Sequence, residues 1–284
     1  MFQNPLRLEE SVIMDLGLAA WGLREETLES QLEITSSLGV DLLELSIAGY
    51  NRDRLQVWST DEDIEKVKVL FAKYGIRLEC ACTGNDFTLD DVPTQVGHVK
   101  SVINICAKLG VKYLRIFAGF TSDSIVIEEK FETMMKALKD VNDYAVSKNV
   151  MLCCETHGGV TQLKNGALVH FNSPTTRIDS WKEILKTGVS ICYDPANLAA
   201  VGAVCPVKFY TDFAENIKYI HLKDFQDVPV GVTPVACGEG RLDWHTLAAA
   251  VKKYSGPALI EYEIVGDVKA GMERSLSFLK KYGF

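Results

Sequence analysis

The sequence has little positive charge: 30 Lys and Arg residues stand against 38 Asp and Glu residues, which gives a net charge of −8 and a pI near 5.3. Nucleic-acid binding depends on clustered Lys and Arg, so this balance argues against a nucleic-acid partner and favours a small polar ligand. Residues 1–10 lack a long apolar segment behind a basic cluster, which argues against a signal peptide or a membrane span. The sequence therefore predicts a cytoplasmic protein.

Two common sequence motifs are absent. No Cys-x-x-Cys pair occurs, which argues against a structural zinc site or a thioredoxin-type motif. No strand-end Gly-x-Gly-x-x-Gly occurs, which argues against the usual nucleotide-binding form of a doubly wound sheet. Five of the 8 cysteines lie in apolar strand-like runs, where cysteine acts as a small buried hydrophobe: Cys80, Cys82, Cys153, Cys154 and Cys192. We therefore predict free thiols.

Short apolar runs alternate with longer amphipathic runs from end to end of the chain, as is typical of repeated strand–helix units around a parallel sheet. The predicted strands cover residues 13–20, 41–47, 76–83, 111–117, 150–155, 189–194, 217–223 and 258–263. The predicted helices cover residues 25–38, 60–74, 91–109, 125–147, 173–188, 198–216, 243–254 and 267–282. In 284 residues without a proline- or serine-rich linker, these units favour one α/β domain over 1–284, a single (β/α)8 TIM barrel with eight parallel strands. A doubly wound sheet is the alternative.

Polar side chains end four successive predicted strands. The apolar run from Val150 ends in the carboxylate of Glu155, and a buried carboxylate needs a cation or hydrogen bonds to compensate for lost hydration. The next three strands end at Asp194, His221 and Glu261. Because all strand carboxyl ends of a parallel barrel lie on one face, these side chains are expected to converge, and Mn²⁺ or Mg²⁺ is the natural counterion. The alternative is that each acid pairs separately with a nearby Lys or Arg.

The order and spacing of these motifs resemble the xylose isomerase-like barrels, a family that includes ketose 3-epimerases, inosose dehydratase, hydroxypyruvate isomerase and endonuclease IV. The resemblance spans essentially the whole chain. It is carried by Glu155 at a strand end, Asp194-Pro-Ala-Asn197, His221-Leu-Lys-Asp224, Gly238-Glu-Gly240 and Gly256-Pro-Ala-Leu-Ile-Glu261.

The resemblance implies one divalent metal ion held by Glu155, Asp194, His221 and Glu261, with Glu155 and Glu261 also acting as acid and base. Mn²⁺ is the expected ion, and Mg²⁺, Co²⁺ and Zn²⁺ are the alternatives. Glu263 has the same strand parity as Glu261, but the family motif matches at Glu261.

The implied activity is that of a sugar or keto-sugar isomerase or epimerase, in which a C–H group is deprotonated and the metal stabilises the enediolate. Its partner is then a small sugar or keto-polyol, and homo-oligomers are common in the family. Dehydration of a keto-polyol of the inosose type is the second interpretation. An abasic-site endonuclease, which needs many histidines where this chain has 5, and a non-catalytic barrel are the remaining alternatives.

Six further residues are candidates for contact with substrate: His157, Asn197, Lys223, Glu239, Trp21 and Arg115. The long segment 158–172 is also expected to belong to the site, because ordinary connections are shorter. Asn197 stands where several relatives have histidine. Arg115 must meet an acid if it points inward.

Several of these candidates have a structural alternative. His157 equally suits a loop-anchoring role beside two glycines, and Glu239 suits the ordering of its own loop. Trp21 suits core packing. Lys223 suits a salt bridge to Asp224, Glu239 or Asp243. The remaining histidines, His98, His170 and His245, are assigned no chemistry.

Overall fold

The computed structural model describes residues 14–48 and 55–284. Within these residues the strands are β1 (Asp15–Leu18), β2 (Leu45–Ser46), β3 (Cys80–Cys82), β4 (Tyr113–Ile116), β5 (Met151–Glu155), β6 (Gly159–Gln162), β7 (Leu168–Phe171), β8 (Ser190–Tyr193), β9 (Ile217–Leu222), β10 (Asp224–Asp227), β11 (Val232–Val235) and β12 (Pro257–Ile260). The helices are α1 (Leu28–Ser37), α2 (Asp61–Tyr74), α3 (Val92–Leu109), α4 (Glu128–Ser147), α5 (Ile178–Ile184), α6 (Pro195–Val201), α7 (Pro206–Phe213), α8 (Trp244–Val251) and α9 (Val268–Lys281).

Eight strands form one parallel sheet in the order β1-β12-β9-β8-β5-β4-β3-β2. A parallel bridge between Leu18 and Leu43 links β1 to the segment that leads into β2, so the two ends of this order contact each other. The N–H of Leu18 donates to the carbonyl of Leu42 at 2.9 Å, and the N–H of Glu44 donates to the carbonyl of Leu18 at 2.9 Å. The eight parallel strands expected of a TIM barrel are therefore present. The predicted strand at 13–20 begins one residue before the described part of the chain. The prediction for residues 1–10 concerns residues that lie outside the described part.

Local sequence signals fix both ends of α2 and α3. Thr60 caps α2 with a reciprocal hydrogen-bond pair to Asp63, and Gly75 ends the helix at φ 65°. Asp91 caps α3, and Gly110 ends it at φ 78°. These two helices lie where the sequence predicts them, within one residue at each end.

The predicted helix at 173–188 is wrong as a continuous element. In 173–188, Ser173 caps a short 3-10 turn and Arg177 is extended (φ −120°, ψ 131°), so α5 starts only after this break. The Ser173 hydroxyl also donates to the carbonyl of His157 at 2.6 Å, and this contact with the preceding loop outweighs the helical pattern. The segment 198–216 is mostly helical, as predicted, with one interruption: Gly202 at φ 74° ends α6, and Pro206 starts α7.

The core has two layers. The larger layer packs between the parallel sheet and the helices. The smaller layer fills the inside of the sheet with the fully buried side chains of Ala19, Leu42, Cys80, Cys153, Cys192, Tyr219 and Leu259. Gly17 belongs to this crowded interior, because a Cβ atom there would lie 2.3 Å from Leu259 Cδ2 and 2.8 Å from the Leu42 carbonyl. All eight cysteines are free, as predicted, and Cys205 alone among them is exposed.

A second, antiparallel sheet of four strands has the order β10-β11-β7-β6. Its strands come from the chain that follows β5 and β9, so it belongs to the carboxyl-terminal side of the barrel, where the predicted site residues lie. The long segment 158–172, to which the sequence assigns no strand, thus contains a strand pair with Val160 opposite His170. No helix in the described part of the chain is long and apolar enough to cross a membrane.

Candidate metal centre

Four polar side chains at the carboxyl-terminal ends of neighbouring barrel strands meet in one buried cluster. Glu155 ends β5, Asp194 follows β8, His221 lies in β9 and Glu261 follows β12. Each side chain offers one possible ligand atom, and these atoms lie within 4.8 Å of one another. His221 Nδ1 is 3.7 Å from both Glu155 Oε1 and Glu261 Oε2. The fold therefore brings together the four residues that the sequence singles out.

The position of this cluster follows from strand periodicity. Cys153, Cys192, Tyr219 and Leu259 fill the inside of the barrel, and the four cluster residues each come two positions later. Successive residues of a strand point to opposite faces, so the residue two positions on points inward again, one layer nearer the carboxyl-terminal mouth. An apolar layer therefore lies directly beneath the polar one.

The carboxylates and cations of the cluster shift each other's protonation. Burial opposes a charge on His221, but Glu261 and Glu155 outweigh burial and hold the pKa of His221 well above its ordinary value. Burial alone would raise the pKa of Glu155, yet His221 and Arg115 outweigh it and lower this pKa below its usual range. Glu155 is therefore an ionised carboxylate that can accept a cation or a proton.

Lys223 supplies a buried positive charge to the same cluster. Its Nζ lies 2.8 Å from Glu261 Oε2, 3.1 Å from Asp194 Oδ2 and 2.9 Å from Glu263 Oε1. Burial opposes this charge, but the carboxylates raise the pKa of Lys223 well above its ordinary value. Burial and the charges of Glu155 and Glu261 raise the pKa of Asp194 to about 7, although Lys223 opposes this rise. Lys223 thus joins two cluster acids to Glu263.

Both oxygens of Glu155 are held in place. Arg115 is buried, and its Nε lies 3.3 Å from Glu155 Oε2, so the inward-pointing arginine does meet an acid. The Asn197 side chain donates to Glu155 Oε1 at 3.1 Å, and its backbone N–H donates to Asp194 Oδ1 at 2.9 Å. Asn197 therefore connects two candidate ligands, while its Oδ1 is buried without a hydrogen-bond partner among the described residues.

Glu44, which the sequence analysis overlooked, is a fifth fully buried acid beside the cluster. Its Oε1 lies 3.5 Å from His221 Nε2 and accepts from the Tyr219 hydroxyl at 2.8 Å. Its Oε2 accepts from the N–H of Ala20 at 3.0 Å. Burial alone would raise the pKa of Glu44, but contact with His221 outweighs burial and lowers this pKa to about 2. A charged residue within the run Leu42-Leu-Glu-Leu45 is the sequence signal that identifies it.

The cluster fits a divalent cation. Metal–ligand bonds of roughly 2.0–2.2 Å place two ligands of one ion about 3–4 Å apart, which agrees with the 3.7 Å separations around His221 Nδ1. Among the described residues, both His221 nitrogens and Asp194 Oδ2 are buried without a hydrogen-bond partner. Three carboxylates and one imidazole suit Mn²⁺, Mg²⁺ or Zn²⁺. Cys192 also lies within reach of Glu155 and His221, but burial raises the pKa of its thiol well above the usual range, which disfavours thiolate ligation.

His157 is tied into the loop around it. Its carbonyl accepts from the hydroxyls of Ser173 at 2.6 Å and Thr175 at 2.9 Å. Its ring meets Phe117 and Phe120 edge-on, with centroids 5.3 Å and 5.1 Å away. Burial lowers the pKa of His157, so the ring is neutral. The backbone of His157 therefore anchors the loop, its ring Nδ1 contacts the Gly158 carbonyl, and the residue is partly exposed.

Trp21 and Glu239 lie on the surface. Trp21 is 39% exposed, and the Arg24 guanidinium lies 4.7 Å from its ring centroid, so the core-packing alternative is wrong. Glu239 accepts from Arg274 Nε at 2.9 Å and from the N–H of Ala236 at 3.3 Å. The loop-ordering alternative thus accounts for the contacts of Glu239.

Asp224 connects the His221-Leu-Lys-Asp224 motif to the Gly238-Glu-Gly240 motif. Its buried carboxylate accepts five hydrogen bonds, from the backbone N–H groups of Phe225, Gly238, Gly240 and Leu242 and from the indole N–H of Trp244. A Cβ atom on Gly240 would lie 2.2 Å from Asp224 Oδ1, which accounts for glycine at that position. The predicted pairing of Lys223 with Asp224, Glu239 or Asp243 is wrong, because Lys223 turns to the cluster acids instead.

Replacing Asp224 with asparagine is expected to lower the free energy of unfolding by about 3 kcal/mol, because an amide oxygen cannot accept all five donors. Urea unfolding measures this change. Asp227→Asn, in the same strand, is the control: Asp227 is exposed and pairs with Arg241 alone among the described residues, so less than about 1 kcal/mol is expected. Equal losses in the two variants would contradict a structural role for Asp224.

His170, which was assigned no chemistry, lies in β7 with its ring 5.1 Å from that of Phe225. Neither ring nitrogen has a hydrogen-bond partner among the described residues. Burial, together with the charges of Lys223 and His157, lowers the pKa of His170 to about 3. The ring is therefore a neutral imidazole near the cluster, in a strand that the sequence analysis took for a loop.

Comparison with protein families places the chain by sequence. A family model described as a xylose isomerase-like TIM barrel matches residues 32–282. No curated protein sequence matches the chain.

Solved structures with the same fold include enzymes of several kinds. A D-allulose 3-epimerase from Methylomonas sp. in complex with D-allulose is 16% identical, with a TM-score of 0.72 over 95% of this chain and 97% of that one. The probable 3-DHS dehydratase AsbF from Bacillus anthracis is 14% identical, with a TM-score of 0.73 over 94% and 99%. The IOLI protein with a bound zinc atom is 19% identical, with a TM-score of 0.69 over 95% and 96%. At these identities the similarity establishes the fold.

Proposed function

The chain belongs to the xylose isomerase-like TIM-barrel family, and from that premise we propose that it is a divalent-metal-dependent isomerase or epimerase of sugars or keto-sugars. The observation that carries this proposal is the buried set of Glu155, Asp194, His221 and Glu261, whose ligand atoms lie within 4.8 Å of one another. We propose Mn²⁺ as the ion these residues hold, with Mg²⁺, Co²⁺ or Zn²⁺ as alternatives.

The chemistry divides between the ion and the protein. A divalent ion at this site supplies Lewis acidity, which lowers the barrier to removing a proton next to a carbonyl. Glu155 and Glu261 are the groups that take and return that proton, because both are carboxylates within 3.7 Å of His221 Nδ1. Transfer on opposite faces of one carbon gives epimerisation, and transfer between adjacent carbons gives isomerisation.

The surrounding residues keep the two glutamates in position. Arg115 and Asn197 each contact one oxygen of Glu155, so its carboxylate cannot rotate freely. Lys223 donates to Glu261 Oε2 at 2.8 Å. Proton transfer requires such fixed geometry, since the base must lie within hydrogen-bond reach of the substrate carbon-bound proton.

The solved structures with this fold support the substrate class and the metal. One of them is an epimerase bound to the ketose D-allulose, and another holds a zinc atom.

Elemental analysis of the purified protein, followed by proton exchange in D₂O, tests the proposal. We expect about one divalent ion per chain and metal-dependent incorporation of deuterium at a carbon of a ketose or inosose, without loss of water. NMR spectra of a panel of phosphorylated and unphosphorylated ketoses and inososes measure the exchange. A protein without stoichiometric metal that exchanges no proton would contradict the proposed function.

A keto-polyol dehydratase is the second candidate, and the buried ammonium of Lys223 is the observation that favours it. Lys223 contacts Glu261, which is proposed to abstract a proton, so an N–H donor for a departing hydroxyl group lies beside that glutamate. Loss of a hydroxyl group as water needs such a donor. Release of water from the substrate, seen as a mass decrease in the product, distinguishes this activity from epimerisation.

A further inference from the structure

His221 has two environments, one at each ring nitrogen. Nδ1 faces the candidate ligands Glu155 and Glu261 at 3.7 Å. Nε2 faces Glu44 Oε1 at 3.5 Å, on the opposite side of the ring. A neutral imidazole carries its proton on one nitrogen and a lone pair on the other, so the group that attracts the proton decides which nitrogen can bind a cation.

Both carboxylate oxygens of Glu44 are held by hydrogen bonds. It precedes β2, whereas His221 lies in β9, so the fold joins residues that are distant in sequence. Tyr219, two residues before His221, donates its hydroxyl to the same Glu44 Oε1 at 2.8 Å. The other oxygen, Oε2, accepts from the N–H of Ala20 at 3.0 Å. Glu44, Tyr219 and His221 are all 0% exposed, so no bulk water competes for the Glu44 oxygens.

We propose that Glu44 is a positioning residue that holds the His221 proton on Nε2 and thereby leaves the Nδ1 lone pair free for a divalent ion. This inference rests on the proposed metal centre. Histidine ligands in proteins commonly donate their second ring N–H to a carboxylate, and loss of that partner weakens metal binding by roughly 10- to 100-fold. The ion is then bound through Nδ1 together with Glu155, Asp194 and Glu261.

Competitive titration of Zn²⁺ against a chelator tests this proposal in the wild type and in Glu44→Gln. Glu44 has two acceptor oxygens: Oε2 accepts from Ala20, and Oε1 faces Tyr219 and His221. A glutamine has only one acceptor oxygen, so it cannot replace both. We expect zinc to bind Glu44→Gln about 10- to 100-fold more weakly. Tyr219→Phe is the matched control, because it removes a hydrogen bond to Glu44 and keeps the carboxylate; we expect a change below about threefold.

The position of the His221 proton is a second readout, and its wild-type part does not depend on the folding of any variant. NMR spectra of zinc-loaded wild type with ¹⁵N-labelled histidine are expected to show a protonated Nε2 and a metal-bound Nδ1, and Glu44→Gln is expected to lose the protected Nε2–H signal. A wild-type ring bound through Nε2, or a Glu44→Gln variant with wild-type zinc affinity, would overturn the role of Glu44 alone. A wild type without zinc affinity would overturn the proposed metal centre together with it.

Discussion

Glu155→Gln and Glu261→Gln are each expected to lower kcat by at least about 10³-fold. Two losses combine in each variant: an amide does not accept a proton from carbon, and its neutral oxygen is a weaker metal ligand than a carboxylate. Glu155→Gln also leaves the buried Arg115, 3.3 Å away, without its counterion. Steady-state kinetics on the substrate identified by deuterium exchange and metal content per chain measure both losses.

Glu263→Gln is the matched control for Glu261→Gln. Both glutamates contact Lys223 Nζ, at 2.9 Å and 2.8 Å, but Glu261 belongs to the four-residue cluster and Glu263 does not. We therefore expect Glu263→Gln to keep its metal and to lose less than about tenfold in kcat. Equal losses at positions 261 and 263 would mean that the ligand has been assigned to the wrong glutamate. Full activity in both Glu155→Gln and Glu261→Gln would contradict the proposed catalytic roles.

The sequence predicted the cluster because its members obey a local rule. Glu155 ends an apolar strand run, and Asp194, His221 and Glu261 end or follow the next three barrel strands. In a parallel barrel this position alone decides that the side chains meet, so no knowledge of distant contacts is needed. The same rule identifies Arg115, two residues after Tyr113 on the inner face of β4.

Glu44 obeys the rule as well, and was missed for a specific reason. It lies two residues after Leu42, an inner-core residue, and is one layer nearer the carboxyl-terminal mouth. The apolar run 42–47 continues past it, so the predicted strand does not end there; in the structure, β2 is two residues long and starts at Leu45. Counting in steps of two from the inner core would have placed Glu44 beside His221.

The ion-pair partners of Lys223 and the pairing of the antiparallel sheet depend on contacts between distant segments, which local sequence patterns do not contain. The local sequence suggested that Lys223 pairs with the adjacent Asp224. That carboxylate instead accepts hydrogen bonds from five N–H donors, four of them from residues 238–244. Likewise β6 and β7 were not predicted as strands, because their sequences lack a strong period-two pattern; three of the four β6 residues are exposed and all four β7 residues are only partly buried. Both features become apparent only when the loops after β5 and β9 are seen together.

Lys223→Met is expected to destabilise the protein strongly without metal and much less with it. In the wild type, one ammonium lies within 3.1 Å of Asp194, Glu261 and Glu263. Its removal leaves these acids without their shared cation, and breaking a buried ion pair in this way costs roughly 3–5 kcal/mol. A divalent ion on Asp194 and Glu261 supplies the missing charge, so saturating Mn²⁺ should restore most of the loss. Urea unfolding in EDTA and in Mn²⁺ measures both values.

Lys223→Met is also expected to increase metal affinity, because the ammonium of Lys223 repels a divalent ion from Asp194 and Glu261, the two acids that both cations contact. The control is Lys208→Met: Lys208 is exposed and pairs with Asp212, so we expect less than about 1 kcal/mol in either buffer. If Lys223→Met lost the same stability with and without Mn²⁺, the ion and Lys223 would not share Asp194 and Glu261. If Mn²⁺ raised the free energy of unfolding more in Lys223→Met than in the wild type, this would show that the Lys223 ammonium balances the charge of the acidic cluster when no metal is bound.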